Sequence, residues 1–162
     1  MSVRFERDNL PQRVRFASGE AAAGVAAEVE ALGASRIMLI AAPQEAELAG
    51  RITAGLPVVV RHDEVLTHVP VEVAERARAV AAAAGADLLV SVGGGSATGL
   101  AKAVALTAGV PIVAVPTTYA GSEATSVWGL TAASHKTTGT DARALPRAIV
   151  YARRSRCPCR SP

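Results

Sequence analysis

Three consecutive glycines, Gly93–Gly95, stand between the apolar run "DLLVSV" (Asp87–Val92) and a helical pattern that opens near Ser96 and runs to about Ala108. Strong secondary-structure signals abut them on both sides, which argues against a flexible spacer. A tight strand-to-helix turn with no ligand remains one reading, and a backbone cradle for a phosphate group is the other. Glycine reaches positive φ and lets a ligand approach the main chain. The first helical turn adds unpaired N–H groups and a positive dipole end. Ser96 can cap the helix or donate to a phosphate oxygen. Lys102, about two turns further on, is expected to point elsewhere. No G-K-[ST] follows the glycines, and their spacing departs from G-x-G-x-x-G, so neither a P-loop nor the standard Rossmann fingerprint is present.

The surrounding chain alternates strand-like and helix-like segments. Strands are expected at "RVRFA" (Arg13–Ala17), "RIMLIAA" (Arg36–Ala42), "PVVVRH", Asp87–Val92 and "PIVAV" (Pro111–Val115), with shorter candidates at "VWGLT" and "RAIVY". Helices are expected after Ser18, which can cap "GEAAAGVAAEVEAL" before Gly33 closes it, and across "QEAELAGRITAG". The clearest helix is Pro70–Gly85. Pro70 suits its first turn, Glu72 and Glu75 favour its positive end, and Val73, Ala77, Val80, Ala81 and Ala84 form an apolar stripe. Glu72 and Arg76 are spaced as a supporting i,i+4 pair. Apolar strands joined through helices predict an α/β fold with a parallel sheet, whose ligands sit at the carboxyl ends of the strands.

Composition agrees. Half of the 162 residues are hydrophobic but only 3% are aromatic, so alanine, valine and leucine make the core. No apolar run approaches the roughly 20 residues of a membrane span, and "MSVRFERDNLPQ" lacks a signal-peptide core. A cytoplasmic protein with no membrane partner is expected. The formal net charge is +3, yet Arg153, Arg154, Arg156 and Arg160 crowd the last twelve residues, which contain no acid. Without them, thirteen basic residues face fourteen acidic ones, so nucleic acid is not an expected partner. Cys157 and Cys159 share that tail, and two thiolates one residue apart cannot complete a four-ligand metal site. His62, His68 and His135 read as solvated loop residues, and no metal site is expected.

The loop after "PIVAV" is "PTTYAGSEAT" (Pro116–Thr125), rich in hydroxyls and holding one buriable acid, Glu123. Consecutive parallel strands place it beside the glycines, where Thr117, Thr118 and Ser122 can hydrogen-bond a pyrophosphate or a ribose.

Together, "GGGSATGLAKAVAL" and "PTTYAGSEATSVWGLT" resemble the iron-containing alcohol dehydrogenase superfamily. Tyr119, Trp128, "HVPVEVAERA" and "KTTGTDARALPRAIVY" make the chain similar to its maleylacetate reductase family, over essentially Arg4 to Tyr151. The resemblance implies a Rossmann-like NAD(P)-binding α/β domain over residues 1–151, followed in relatives by an all-helical domain absent here, and a homodimer. The implied reaction is NADH- or NADPH-dependent reduction of maleylacetate to 3-oxoadipate in aromatic-compound catabolism, with this chain inactive or weakly active. A non-catalytic nucleotide-binding fragment, or a related alcohol or glycerol dehydrogenase, is the alternative. Gly94, Gly95 and Ser96 match the pyrophosphate loop, and Thr117, Thr118, Tyr119 and Ser122 match the second cofactor loop. Lys136 matches a lysine near the cofactor ribose. Relatives carry their iron or zinc ligands in the helical domain, so that metal is not expected in this chain. Many members have an acid after the second strand; here "AAPQE" stands there, and Gln44 leaves NADH and NADPH both open.

Residues 152–162 depart from the family, in which Asp-Pro-x-Leu-Thr follows the tyrosine. Loss of one base from the aspartate codon turns a frame for Asp-Pro-Ala-Leu-Thr into one for Ala-Arg-Arg-Ser-Arg, the residues found at 152–156. The tail is therefore expected to be frameshifted and disordered.

Overall fold

The computed structural model describes residues 10–16, 19–133 and 135–152. Six parallel strands form one sheet in the order β1 (Arg13–Phe16), β8 (Ala148–Tyr151), β5 (Ile112–Pro116), β4 (Leu88–Gly93), β2 (Ile37–Ile40) and β3 (Val58–His62). The helices are α1 (Ala21–Ala31), α2 (Ala46–Ile52), α3 (Val71–Ala83) and α4 (Gly95–Ala108). An antiparallel hairpin, β6 (Val127–Ala132) with β7 (His135–Thr140), lies outside the main sheet.

Alternation along the strands sorts side chains onto two faces. Ile37 and Leu39 of β2 pack with Val25 and Val29 of α1 and Ala49 and Ile52 of α2. Met38 and Ile40 pack with Val73 and Ala77 of α3 and Leu100 and Val104 of α4. Both faces of the central strands are thus covered, which is why β2, β4 and β5 read as largely apolar runs. Each fully buried valine, leucine or isoleucine contributes roughly 1.5–3 kcal/mol to folding.

Gly33 and Gly85 end α1 and α3 with positive φ. In each case the glycine N–H and the next N–H return to carbonyls of the last turn, Glu30 and Val29 in one and Ala82 and Ala81 in the other. This is the Schellman closure that glycine after a helix favours. The first helix begins at Ala21 behind Glu20, whose side chain makes no cap bond, while Ser18 lies outside the described residues. The buried carboxylate of Glu28 accepts from Arg13 and Arg15, pinning α1 onto the edge strand β1.

Two expectations change. Arg76 pairs not with Glu72 but with Glu64, in a two-pronged contact of 2.6 and 2.8 Å, because the loop before α3 folds back to offer a full carboxylate. His62 is not a solvated loop residue. Its carbonyl accepts from Ala41 N–H, which extends β3 through it, and the ring turns inward with Nε2 buried and unpartnered. Among the described residues, no helix is long and apolar enough to cross a membrane.

β2 leads outward to β3, whereas β4 leads the other way to β5, so the sheet order reverses between β2 and β4. The loops after β2, β4 and β5 meet at the carboxyl ends there, the usual place for a ligand crevice in an open α/β sheet.

Candidate functional site

The glycine loop forms the centre of this crevice. Gly93 ends β4 with φ +147, a conformation that L side chains rarely adopt, and a Cβ on it would stand 3.1 Å from Ala97 Cβ. Gly94 is extended and precedes α4, which starts at Gly95 with no side chain capping its amides. Ser96 therefore sits inside the first turn rather than at its cap, and the amides of this turn have no intrahelical acceptor. No acidic residue occupies the turn, so its positive end faces the crevice.

The loop after β5 packs directly on the glycines. Thr117 N–H donates to Gly93 O at 2.9 Å. A Cβ on Gly94 would lie 3.3 Å from Thr118 Oγ1, and one on Gly95 would lie 3.2 Å from Ala120 Cβ and 3.7 Å from Ser122 Oγ. From the other side, Thr117 Oγ1 donates to Glu45 Oε1 at 3.1 Å, which brings the loop after β2 into the same cluster.

On the hairpin side opens a cleft of about 430 Å³, whose lining includes Gly95, Ser96, Lys102, Ser122, Trp128 and Lys136. His68, Val69 and Thr138 complete much of its wall, and among the described residues no carboxylate lines it. Ser122 Oγ is buried there without a hydrogen-bond partner. The hairpin is held over the cleft by Thr131, whose N–H donates to Val69 O at 3.1 Å and whose hydroxyl donates to His68 O at 2.8 Å. Trp128 lies flat against Gly139 across the hairpin, where a Cβ would come within 2.6 Å of the indole.

The eight residues singled out from sequence divide accordingly. Gly95, Ser96, Ser122 and Lys136 share the cleft. Thr117 bonds Glu45, and Thr118 packs on Gly94 outside the lining of the cleft. Tyr119 joins neither group: it is 83% exposed, with its ring 6.0 Å from that of Tyr151. Lys136 is exposed and makes none of the ion pairs found among the described residues. His68 and His135 are exposed, as expected.

Sequence reasoning missed Lys102. It does not point away but lies in the cleft wall, only 1% exposed, with Nζ bonded to Thr125 O and Val127 O at 2.7 Å each. Burial pulls its ammonium down to about 8, while the Glu123 carboxylate acts in the opposite sense. Glu123 is buried as anticipated and accepts from Tyr151 OH at 3.0 Å. Burial of the phenol, together with this bond, pushes Tyr151 up to about 12. A lysine seven residues past the helix start, on the same face as Gly95 and Gly99, was the available signal.

The cleft residues include no cluster of three His, Cys, Asp or Glu side chains, and none is found elsewhere among the described residues. They fit an anionic group with hydroxyl-rich flanks, since an orphaned hydroxyl, unpaired amides and two lysines converge. Cys157 and Cys159 lie outside the described residues, as does the tail read as frameshifted.

Residues 11–152 match the family model described as Iron-containing alcohol dehydrogenase. Maleylacetate reductase 2 of Cupriavidus pinatubonensis is 48% identical over 143 residues, covering 87% of this chain and 40% of that protein. A crystal structure of an iron-containing alcohol dehydrogenase from Corynebacterium glutamicum superposes with a TM-score of 0.90 at 53% identity, covering 94% of this chain and 43% of its own. Maleylacetate reductase from Agrobacterium tumefaciens superposes at 0.86 with 38% identity, covering 93% and 43%. The chain spans about two fifths of the length of these relatives.

Proposed function

From the premise that the chain belongs to the iron-containing alcohol dehydrogenase family, we propose that it binds NADH or NADPH at the glycine loop and serves the reduction of maleylacetate to 3-oxoadipate. The observation that carries the binding step is the orphaned Ser122 hydroxyl beside the unpaired first-turn amides of α4. A buried polar group without a partner is costly, and a diphosphate oxygen between the two would satisfy both. The adenosine half is assigned to the Glu45, Thr117 and Thr118 side, by the general rule that the residue after the second strand meets the ribose. The nicotinamide half is assigned to the cleft under Trp128 and Lys136.

When bound, the dihydronicotinamide supplies a hydride; what this chain supplies is position, charge and shelter from water. Gly93–Gly95 admit the diphosphate to the main chain, Ser96 and Ser122 orient it, and Lys136 offsets its charge. Reduction of an oxo acid needs that geometry held while its acceptor carbonyl faces the ring.

Calorimetric titration of the 162-residue chain with ADP-ribose and with NADH tests the reading. Competitive binding of both is expected, with NADH oxidation by maleylacetate as the separate test of the reaction. Failure of both ligands to bind at millimolar concentration would remove the assignment.

A further inference from the structure

Lys102 is the largest fully buried side chain among the described residues, yet it sits in the wall of the cleft. It lies on the same helix as the glycine loop, and its three N–H donors reach Thr125 O, Val127 O and, at 3.3 Å, Thr125 Oγ1. Those acceptors flank the join between the second loop and β6. One side chain therefore ties α4 to the segment that carries both Ser122 and Trp128. Thr125 Oγ1 in turn donates to Ser122 O at 3.3 Å, which extends the tie to the serine itself.

We propose that Lys102 is a positioning residue of the nucleotide cleft, holding the Ser122 turn against the glycine loop and presenting the cleft's buried positive charge to a diphosphate. The proposal rests on the nucleotide reading above. The groups that face Lys102 are Glu123 from the turn beneath it, backed by Tyr151 of β8, with Lys136 of β7 and His68 of the loop before α3 on the same cleft. Only Glu123 among these is a carboxylic acid. With its ammonium held near 8 by burial, a fraction of Lys102 is neutral just above neutrality. An anion entering beside it favours the charged form, so binding draws a proton from the buffer onto Nζ.

The experiment is calorimetry of NADH and ADP-ribose binding in two buffers of different ionisation enthalpy, across about pH 7 to 9. Wild type is expected to take up protons on binding, most strongly near pH 8. Lys102→Met should bind roughly tenfold more weakly, since the tie that holds the Ser122 turn and the buried charge beside the ligand are both lost, and should take up no proton. Glu123→Gln keeps an acceptor for Tyr151 but removes the charge that supports the ammonium, so the uptake maximum moves to lower pH. A purely structural lysine would change melting without producing either proton signature. Wild-type affinity in a folded Lys102→Met protein overturns the proposal, as does binding by wild type without proton uptake. If Lys102→Met does not fold, the wild-type uptake and the Glu123→Gln shift decide the matter. An unmoved maximum in Glu123→Gln also counts against it. Wild type that binds neither ligand removes the nucleotide reading itself.

Discussion

Gly95→Ala separates a cradle from a turn. Gly95 is the first residue of α4 and its φ is not positive, so alanine suits its backbone. The substitution gains up to about 1 kcal/mol in helix propensity. Against this, the new methyl stands 3.2 Å from Ala120 Cβ, a few tenths of an ångström inside ordinary contact. Ala120 is exposed and can yield, which places the overpacking cost near the low end of its range, about 1 kcal/mol. The two nearly cancel, so the melting temperature should stay within roughly 4 °C of wild type. Binding behaves differently. The methyl also lies 3.7 Å from Ser122 Oγ, in the space between that hydroxyl and the first-turn amides. Loss of one charge-assisted hydrogen bond there, about 1.5–3 kcal/mol, weakens NADH and ADP-ribose roughly 10- to 100-fold. Calorimetry and thermal melting on the same preparation give both numbers. A folded Gly95→Ala protein that binds either ligand with wild-type affinity would show that the glycine serves the turn alone.

Gly109→Ala is the converse case: φ is +68 and nothing lies within 4 Å of the added Cβ. Stability should fall by about 1–2 kcal/mol with nucleotide affinity unchanged, and an affinity loss in melting-matched protein would contradict the site's location. Glu45→Gln removes a carboxylate held toward the glycine loop by Thr117. The affinity ratio of NADPH to NADH should rise about tenfold, and an unchanged ratio would place the 2′-position elsewhere. Stability should also climb above pH 8. Lys102 sits near 8 in the folded protein against an ordinary value of 10.5, so between these pH values the unfolded chain binds more protons and folding gains, on the order of 1 kcal/mol. Tyr151 has the opposite effect, since its phenol is raised from 10 to about 12 and its unfolded form ionises first. Urea unfolding should therefore show a maximum near pH 10, and a steady decline from pH 7 would refute the Lys102 assignment.

Periodic features are legible in the sequence itself. Of the expected stripe, Val73, Ala77 and Ala81 are buried and Val80 and Ala84 half-buried, and Gly33 and Gly85 close their helices. The strand–glycine–helix join falls within one or two residues of its expected place. These depend on local chemistry that a short window contains. What is not legible depends on partners distant in the chain. Arg76 meets Glu64 because a loop turns back, and His62 is buried at the end of β3, where the strand runs on beside β2. Lys102 faces inward because carbonyls more than twenty residues away await it. The position of β8 between β1 and β5 is of the same kind. A short apolar run signals a strand but carries no sign of which neighbours it will join.

Among the described residues, two of the three non-glycine residues with positive φ line the cleft. Gly93 holds φ +147, and His68 and Val69, neither of them glycine, hold φ +64 and +47 in succession. A β-branched residue in that region costs about 1–3 kcal/mol and persists only where its surroundings enforce it. The enforcement is visible. Val69 is buried, its Cγ2 occupies the space where a Cβ on Gly99 would come within 3.0 Å, and its carbonyl and that of His68 are both claimed by Thr131. Gly99 thus does for the hairpin side of the cleft what Gly94 and Gly95 do for the glycine loop, which is to let another segment lie directly on α4. The positive-φ glycines at helix ends are relaxed closures with open space beside them or a flexible arginine tip, and Ala133 follows the end of β6 in the hairpin. The two strained residues at the cleft are therefore held by the hairpin and by α4 together. Gly94, Gly95 and Gly99 are thus explained first by the segments that lie on α4, and the Gly95→Ala comparison decides whether a ligand adds a further demand.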